Sequence, residues 1–183
     1  HQRYPRISLQ LIEHGAKRIE YLIEAGEVDV GIVVLPVQEE AFSIYPITTE
    51  PFKLYVPPNH QLAKQSKVHL RELKNEPFIL FNKEFSLHDL IINQCKTVGK
   101  FTPKIAYKSA QWDVITELVS AGLGVTLLPQ SIYSKMNPSS ITTVPLVNPP
   151  MWNLGVITKK DRYESFAVKE LLTFLRSELS YIK

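Results

Sequence analysis

The sequence has 183 residues, 44% of them apolar and 21% charged, which is enough of both for one globular domain or two small lobes sharing a core. The formal net charge of +3 is mild and scattered, which excludes the basic tract of a nucleic-acid footprint. A single cysteine, Cys95, excludes an internal disulfide framework and fits a reducing compartment. The densest basic group, Lys159, Lys160 and Arg162, reads as a solvated loop. The longest apolar runs, 31–36 and 125–129, are too short to cross a bilayer, and residues 1–6 have no signal-peptide core. A cytoplasmic location is expected. The opening His-Gln-Arg-Tyr-Pro carries no helix or strand signal, as in a chain cut from a longer one.

Residues 6–12 alternate, with Ile7, Leu9 and Leu11 on one face, which predicts a strand. A turn at His14-Gly15 leads to a helix over 16–25, striped by Ile19, Leu22 and Ile23 and ended by Gly26. The β-branched run 28–34 predicts a strand covered on both faces, so that 6–34 would form a right-handed βαβ unit with parallel strands. A strand over 52–56 runs into the stiff segment Pro57-Pro58-Asn59-His60. A helical turn over 70–73 precedes a buried strand over 77–81. Ser86-Leu87-His88-Asp89 has the form of a capping box opening a helix whose apolar side is Leu87, Leu90, Ile91 and Val98, closed by Gly99. Cys95 lies within it as a small buried hydrophobe.

A short strand over 104–107 is followed by a helix capped by Ser109, with Val114, Ile115, Leu118 and Val119 at helical spacing before Gly122. A strand over 124–128 stops at Pro129, which can open a helical turn. After Val147-Asn148-Pro149-Pro150 come a strand over 152–158 and an amphipathic helix striped by Phe166, Leu171, Leu172, Leu175, Leu179 and Ile182. The two Pro-Pro pairs cut the chain into three parts, and the first and last hold too little to fold alone. The economical α/β architecture is one subdomain of 1–56 plus 149–183 and a second of 57–148, joined by two crossovers in a hinge-and-cleft layout that takes a ligand between the lobes.

Several strings carry a family likeness. Tyr-Pro-Arg-Ile-Ser-Leu (4–9), Leu-Ile-Glu-Ala-Gly-Glu-Val-Asp-Val-Gly-Ile (22–32), Leu-Tyr-Val-Pro-Pro-Asn-His-Gln-Leu-Ala (54–63) and Leu-Val-Ser-Ala-Gly-Leu-Gly-Val-Thr-Leu-Leu-Pro (118–129) stand in order over most of the chain. Together they resemble the effector domain of LysR-type transcriptional regulators. The resemblance implies two Rossmann-like subdomains of periplasmic-binding-protein type 2, an inducer in the cleft, and no enzymatic activity. It implies a homodimer, through the helix at 16–25 and the one near 86–98, or a tetramer at full length. It also implies that DNA is met only by an N-terminal winged helix-turn-helix, which this sequence does not match. The family's first effector-domain strand is likewise unmatched.

Three stretches correspond to the family's inducer site. The first is His14-Gly15-Ala16, where backbone N–H groups at a helix start favour an anion. The second is Asn82-Lys83-Glu84-Phe85-Ser86, with the Ser86 hydroxyl, the amides that follow it and Phe85 as an apolar wall. Ser86 also reads as an N-cap worth about 1 kcal/mol. The third is Val33-Val34 at a strand's C-terminal end, where open α/β sheets bind ligands. Some relatives carry an arginine at the position of Val34 for a second carboxylate, so valine favours a small monocarboxylate or a less charged effector over a dicarboxylate. Ser109, Trp112 and Thr126 form a second tier. The strings 85–89 and 109–113 look like the branch that answers to overflow acids such as acetate or pyruvate.

Enzymatic motifs fail. Gly122-x-Gly124 is followed by Leu127 where a dinucleotide fingerprint needs glycine, and nucleophile-elbow, zincin and phosphate-loop motifs are missing. The five histidines show no metal-ligand spacing, so neither metal nor cofactor is expected. The rival readings are a transporter's solute-binding protein and a small α/β transferase.

Overall fold

The computed structural model describes residues 2–38, 40–136 and 139–179, and the chain divides into two compact units, 1–48 with 153–183 and 49–152. Both Pro-Pro pairs fall inside the second unit.

In the first unit, helix α1 (Ala16–Ala25) buries Ile19, Leu22 and Ile23, the i, i+3, i+4 face of its sequence. Gly26 ends it at φ 77°, where its amide donates to the Ile23 carbonyl and that of Glu27 to Leu22. Only a residue without Cβ takes that left-handed turn cheaply. Strand β1 (Gly31–Val34) pairs antiparallel with β7 (Met151–Lys159), Gly31 facing Ile157 and Val34 facing Leu154. Ile19, Ile23, Val33, Phe42 and Ile157 form the core between them.

Residues 6–12 form no strand, and Leu11 is 94% exposed and Leu9 65%. The parallel βαβ unit expected over 6–34 is therefore absent. Alternation makes a strand only where a neighbour accepts its backbone hydrogen bonds, and the ladder partner of β1 is β7. Helix α4 (Phe166–Leu179) buries Leu172 and half-buries Leu171 and Leu175, but Phe166 faces water. The Leu179 side chain and Ile182 lie outside the described residues.

Strand β2 (Phe42–Val56) begins ten positions before the predicted 52–56 and carries the chain into the second unit. There it pairs antiparallel with β5 (Thr126–Pro129) and with β6 (Thr142–Pro145), a strand not predicted above although 141–144 are all β-branched. Strand β3 (Pro77–Phe81) pairs parallel with β4 (Lys104–Ser109), and α2 (Ser86–Thr97) makes the crossover. Helix α3 (Trp112–Ser120) leads on toward β5. The unbroken apolar run of β3 has a reason. Phe78 and Leu80 enter one core with Ile91 and Cys95 of α2, and Ile79 and Phe81 enter another with Ile115 and Val119 of α3.

Two helix starts also differ from expectation. Ser86 is the first helical residue of α2, Phe85 is the N-cap, and no side-chain cap bond forms, so the capping box is not made. The buried stripe of α2 is His88, Ile91 and Cys95, while Val98 is half in water. Ser109 ends β4 instead of capping α3, whose N-cap is Gln111; the Ser109 Oγ accepts from the Gln111 amide at 3.1 Å. On α3, Val114 is exposed and Thr116 takes its place in the buried face.

Candidate functional site

Parallel pairing of β3 with β4 sets Phe81 beside Ser109 and so brings the two following loops together at the C-terminal edge of the strands. The Asn82 amide donates to the Ser109 carbonyl at 3.0 Å, which extends the ladder one residue past β3. The loop then folds back: the Phe85 amide donates to the Asn82 carbonyl at 3.1 Å, and the His88 amide to that of Phe85 at 3.0 Å. The Phe85 ring packs against that of Phe81, centroids 5.6 Å apart.

Of the residues singled out from the sequence, Asn82, Phe85, Ser86, Ser109 and Trp112 thus meet at one edge, each partly buried. Glu84 stands on the same loop and is exposed. Phe85 and Trp112 both lie against the core between β3 and α3. Thr126 is not part of this group: it is enclosed in β5 opposite Tyr55, at 1% exposure.

The two helix starts at this edge differ electrostatically. The first amides of a helix have no partner within it and carry the positive end of its dipole. At α3 that end already holds a carboxylate, Asp113, whose Oδ1 accepts from the Val114 amide at 2.9 Å. At α2 the acidic residue, Asp89, is exposed and three positions further in, which leaves the amides at Ser86 and Leu87 as the anion-friendly end.

In the first unit Gly15 is the N-cap of α1, its carbonyl accepting from the Arg18 and Ile19 amides at 2.9 and 3.2 Å. Ala16 and Val33 pack into the same core, Val34 closes β1 half-buried, and His14 is exposed. Among the described residues no cluster of three or more His, Cys, Asp or Glu could hold a metal ion, and no helix is long and apolar enough to cross a membrane.

Sequence reasoning missed one residue at the edge. His88, 5% exposed, puts its Nδ1 2.8 Å from the Phe81 carbonyl. Its signal was the spacing His88, Ile91, Cys95, one face of a helix.

The model of the LysR substrate binding domain family matches residues 1–180. The chain belongs to that family. A LysR-type relative, the uncharacterized HTH-type transcriptional regulator YwbI of Bacillus subtilis (strain 168), is 42% identical over 179 residues, 97% of this chain and 59% of the relative. The chain therefore spans about three fifths of the length of that regulator. The CcmR regulatory domain of Synechocystis PCC6803 in complex with 2-PG superposes with a TM-score of 0.87 at 20% identity, covering 97% of this chain and 86% of that one. The BenM effector binding domain with its effector benzoate gives 0.81 at 22% identity, covering 98% and 82%. These likenesses show the fold: the α/β fold of LysR substrate-binding domains, of periplasmic-binding-protein-like type 2.

Proposed function

We propose that this LysR substrate-binding domain senses a small organic acid, held at the second unit's edge by the start of α2 and walled by Phe85 and Trp112. The observation that carries the reading is the convergence of the loops after β3 and β4, which sets the start of α2, whose only first-turn carboxylate, Asp89, is exposed, beside half-buried aromatic rings. A helix start of that kind takes a carboxylate through backbone amides, and the rings cover the acid's apolar part. The Ser86 hydroxyl, not used as a cap, is free to add a bond. That the BenM domain takes benzoate, itself a carboxylate, supports this class of effector. In the whole regulator the acid would shift a conformational equilibrium only as far as it prefers one state, typically about 1–3 kcal/mol of coupling, and DNA would be met by another domain. A homodimer through α1, whose Tyr21 faces water, belongs to the same proposal; a monomer's sedimentation at high concentration would overturn that part.

Titration calorimetry with acetate, pyruvate, benzoate and shikimate tests the site. One of these acids is expected to bind the wild-type domain, with Phe85→Ala and Ser86→Ala each weakening it about tenfold, the order of one charge-assisted hydrogen bond or one buried ring contact. Affinities unchanged in both variants would sink the site assignment.

A further inference from the structure

We infer that His88 is a positioning residue, whose imidazole pins the start of α2 to the end of β3 and so fixes the loop carrying Asn82, Phe85 and Ser86. This rests on the reading of that loop as part of the acid site. His88 is buried, and the atom 2.8 Å from its Nδ1 is the backbone carbonyl of Phe81. A carbonyl only accepts, so Nδ1 carries the proton and the imidazole donates.

The position of that carbonyl gives the bond its meaning. Phe81 is the last residue of β3, and the next amide is already committed to Ser109. Six residues separate Phe81 from His88, and His88 holds the stretch at two places. Its amide donates to the Phe85 carbonyl, and its side chain reaches back to the carbonyl before the loop. The loop is thereby closed on the strand and on the helix at once.

Packing alone does not account for a histidine here. Its helix face is otherwise Ile91 and Cys95, and an apolar side chain would fill such a place without the desolvation cost of a buried imidazole. The bond to Phe81 offsets that cost, and it is the bond that distinguishes this residue from a leucine. Groups that contact a ligand are held to a productive geometry by such supporting bonds.

Three variants separate the bond from the volume. The side-chain nitrogen of His88→Asn can stand where Nδ1 stands, that of His88→Gln reaches toward the place of Nε2, and His88→Leu has none. Amide hydrogen exchange at Phe85 and His88 is expected to quicken about three- to tenfold in His88→Gln and His88→Leu, the range of one neutral hydrogen bond, and to stay near wild type in His88→Asn. Affinity for whichever of acetate, pyruvate, benzoate or shikimate binds should follow the same order. If His88→Leu does not fold, the Asn and Gln variants still decide. Equal exchange in all variants, or His88→Asn as impaired as His88→Gln, would overturn the inference, as would an altered exchange with acid affinity unmoved. If no acid binds the wild-type domain, the acid reading fails, while the exchange ranking still settles whether His88 fixes the loop.

Discussion

The two units treat their apolar residues differently. The second encloses its largest ones: β3 buries both faces and Tyr55, Phe52 and Phe78 lie wholly out of water, while Val98 and Val114 at its surface stay exposed. The first covers α1 on β1 and β7 yet leaves Leu9, Leu11, Ile32 and Phe166 in solvent. Strand β3 pairs with β4 at its edge and has α2 on one face and α3 on the other. Residues 6–12 have the right pattern and no neighbouring strand. Apolar periodicity is a capacity to be covered, and the cover has to come from elsewhere in the fold.

The widest gap between the units should appear on truncating their apolar side chains. Phe78→Ala, in the second unit's core, is expected to cost about 3–5 kcal/mol, and Leu11→Ala less than about 0.5 kcal/mol. Urea unfolding of both variants measures this, and a Leu11→Ala cost near that of Phe78→Ala would show that residues 6–12 are covered in solution.

A narrower contrast concerns glycines at close approaches. A Cβ on Gly124 would stand 2.5 Å from the Pro77 carbonyl oxygen, which is backbone, whereas one on Gly31 would stand 2.7 Å from Cγ2 of Ile19, a side chain. Overpacking costs about 1–3 kcal/mol, and Gly124→Ala should fall at the top of that range with Gly31→Ala below it, because an isoleucine can shift and a paired strand cannot. Thermal melts of the two variants give the order; the reverse order would mean that the first unit's core is the more rigid.

The last effect is a dependence on pH that comes from the core of the second unit. Burial raises the Cys95 thiol from 9.0 to about 12 and raises the Tyr55 hydroxyl as well. Both groups therefore keep a proton in the folded chain that the unfolded chain releases first. The thiol's stabilisation is complete below about pH 9 and is lost as pH rises toward 12, and the Tyr55 hydroxyl's begins to be lost only above about pH 10. Chemical denaturation across that range should show stability falling, with a shallower fall in Cys95→Ala. Identical slopes would show that the Cys95 thiol is not the titrating group.

Much of the local structure was legible. Ile19, Leu22 and Ile23 with Gly26 gave α1 and its end, and the run 77–81 gave β3, because spacing and a missing Cβ act through the local backbone. The candidate site was legible in pieces. Asn82, Phe85 and Ser86 share one loop in sequence, and Ser109 and Trp112 share another. That the loops adjoin follows from the register of Phe81 with Ser109, a pairing between residues far apart in the chain. The Ser86 cap was misread because a serine before a helical run satisfies the pattern whether its backbone stands outside the helix or in its first turn.

What the sequence determined by itself was therefore whatever a few neighbouring residues decide: where helices run, where glycine ends them, which strand is apolar on both faces. Only the tertiary fold settled that 6–12 stay out of a sheet and that 142–145 join one. Each of these depends on whether a strand from elsewhere in the chain is there to pair with. A ladder formed between distant segments satisfies the backbone of a strand, and its absence can leave an apolar alternation in water.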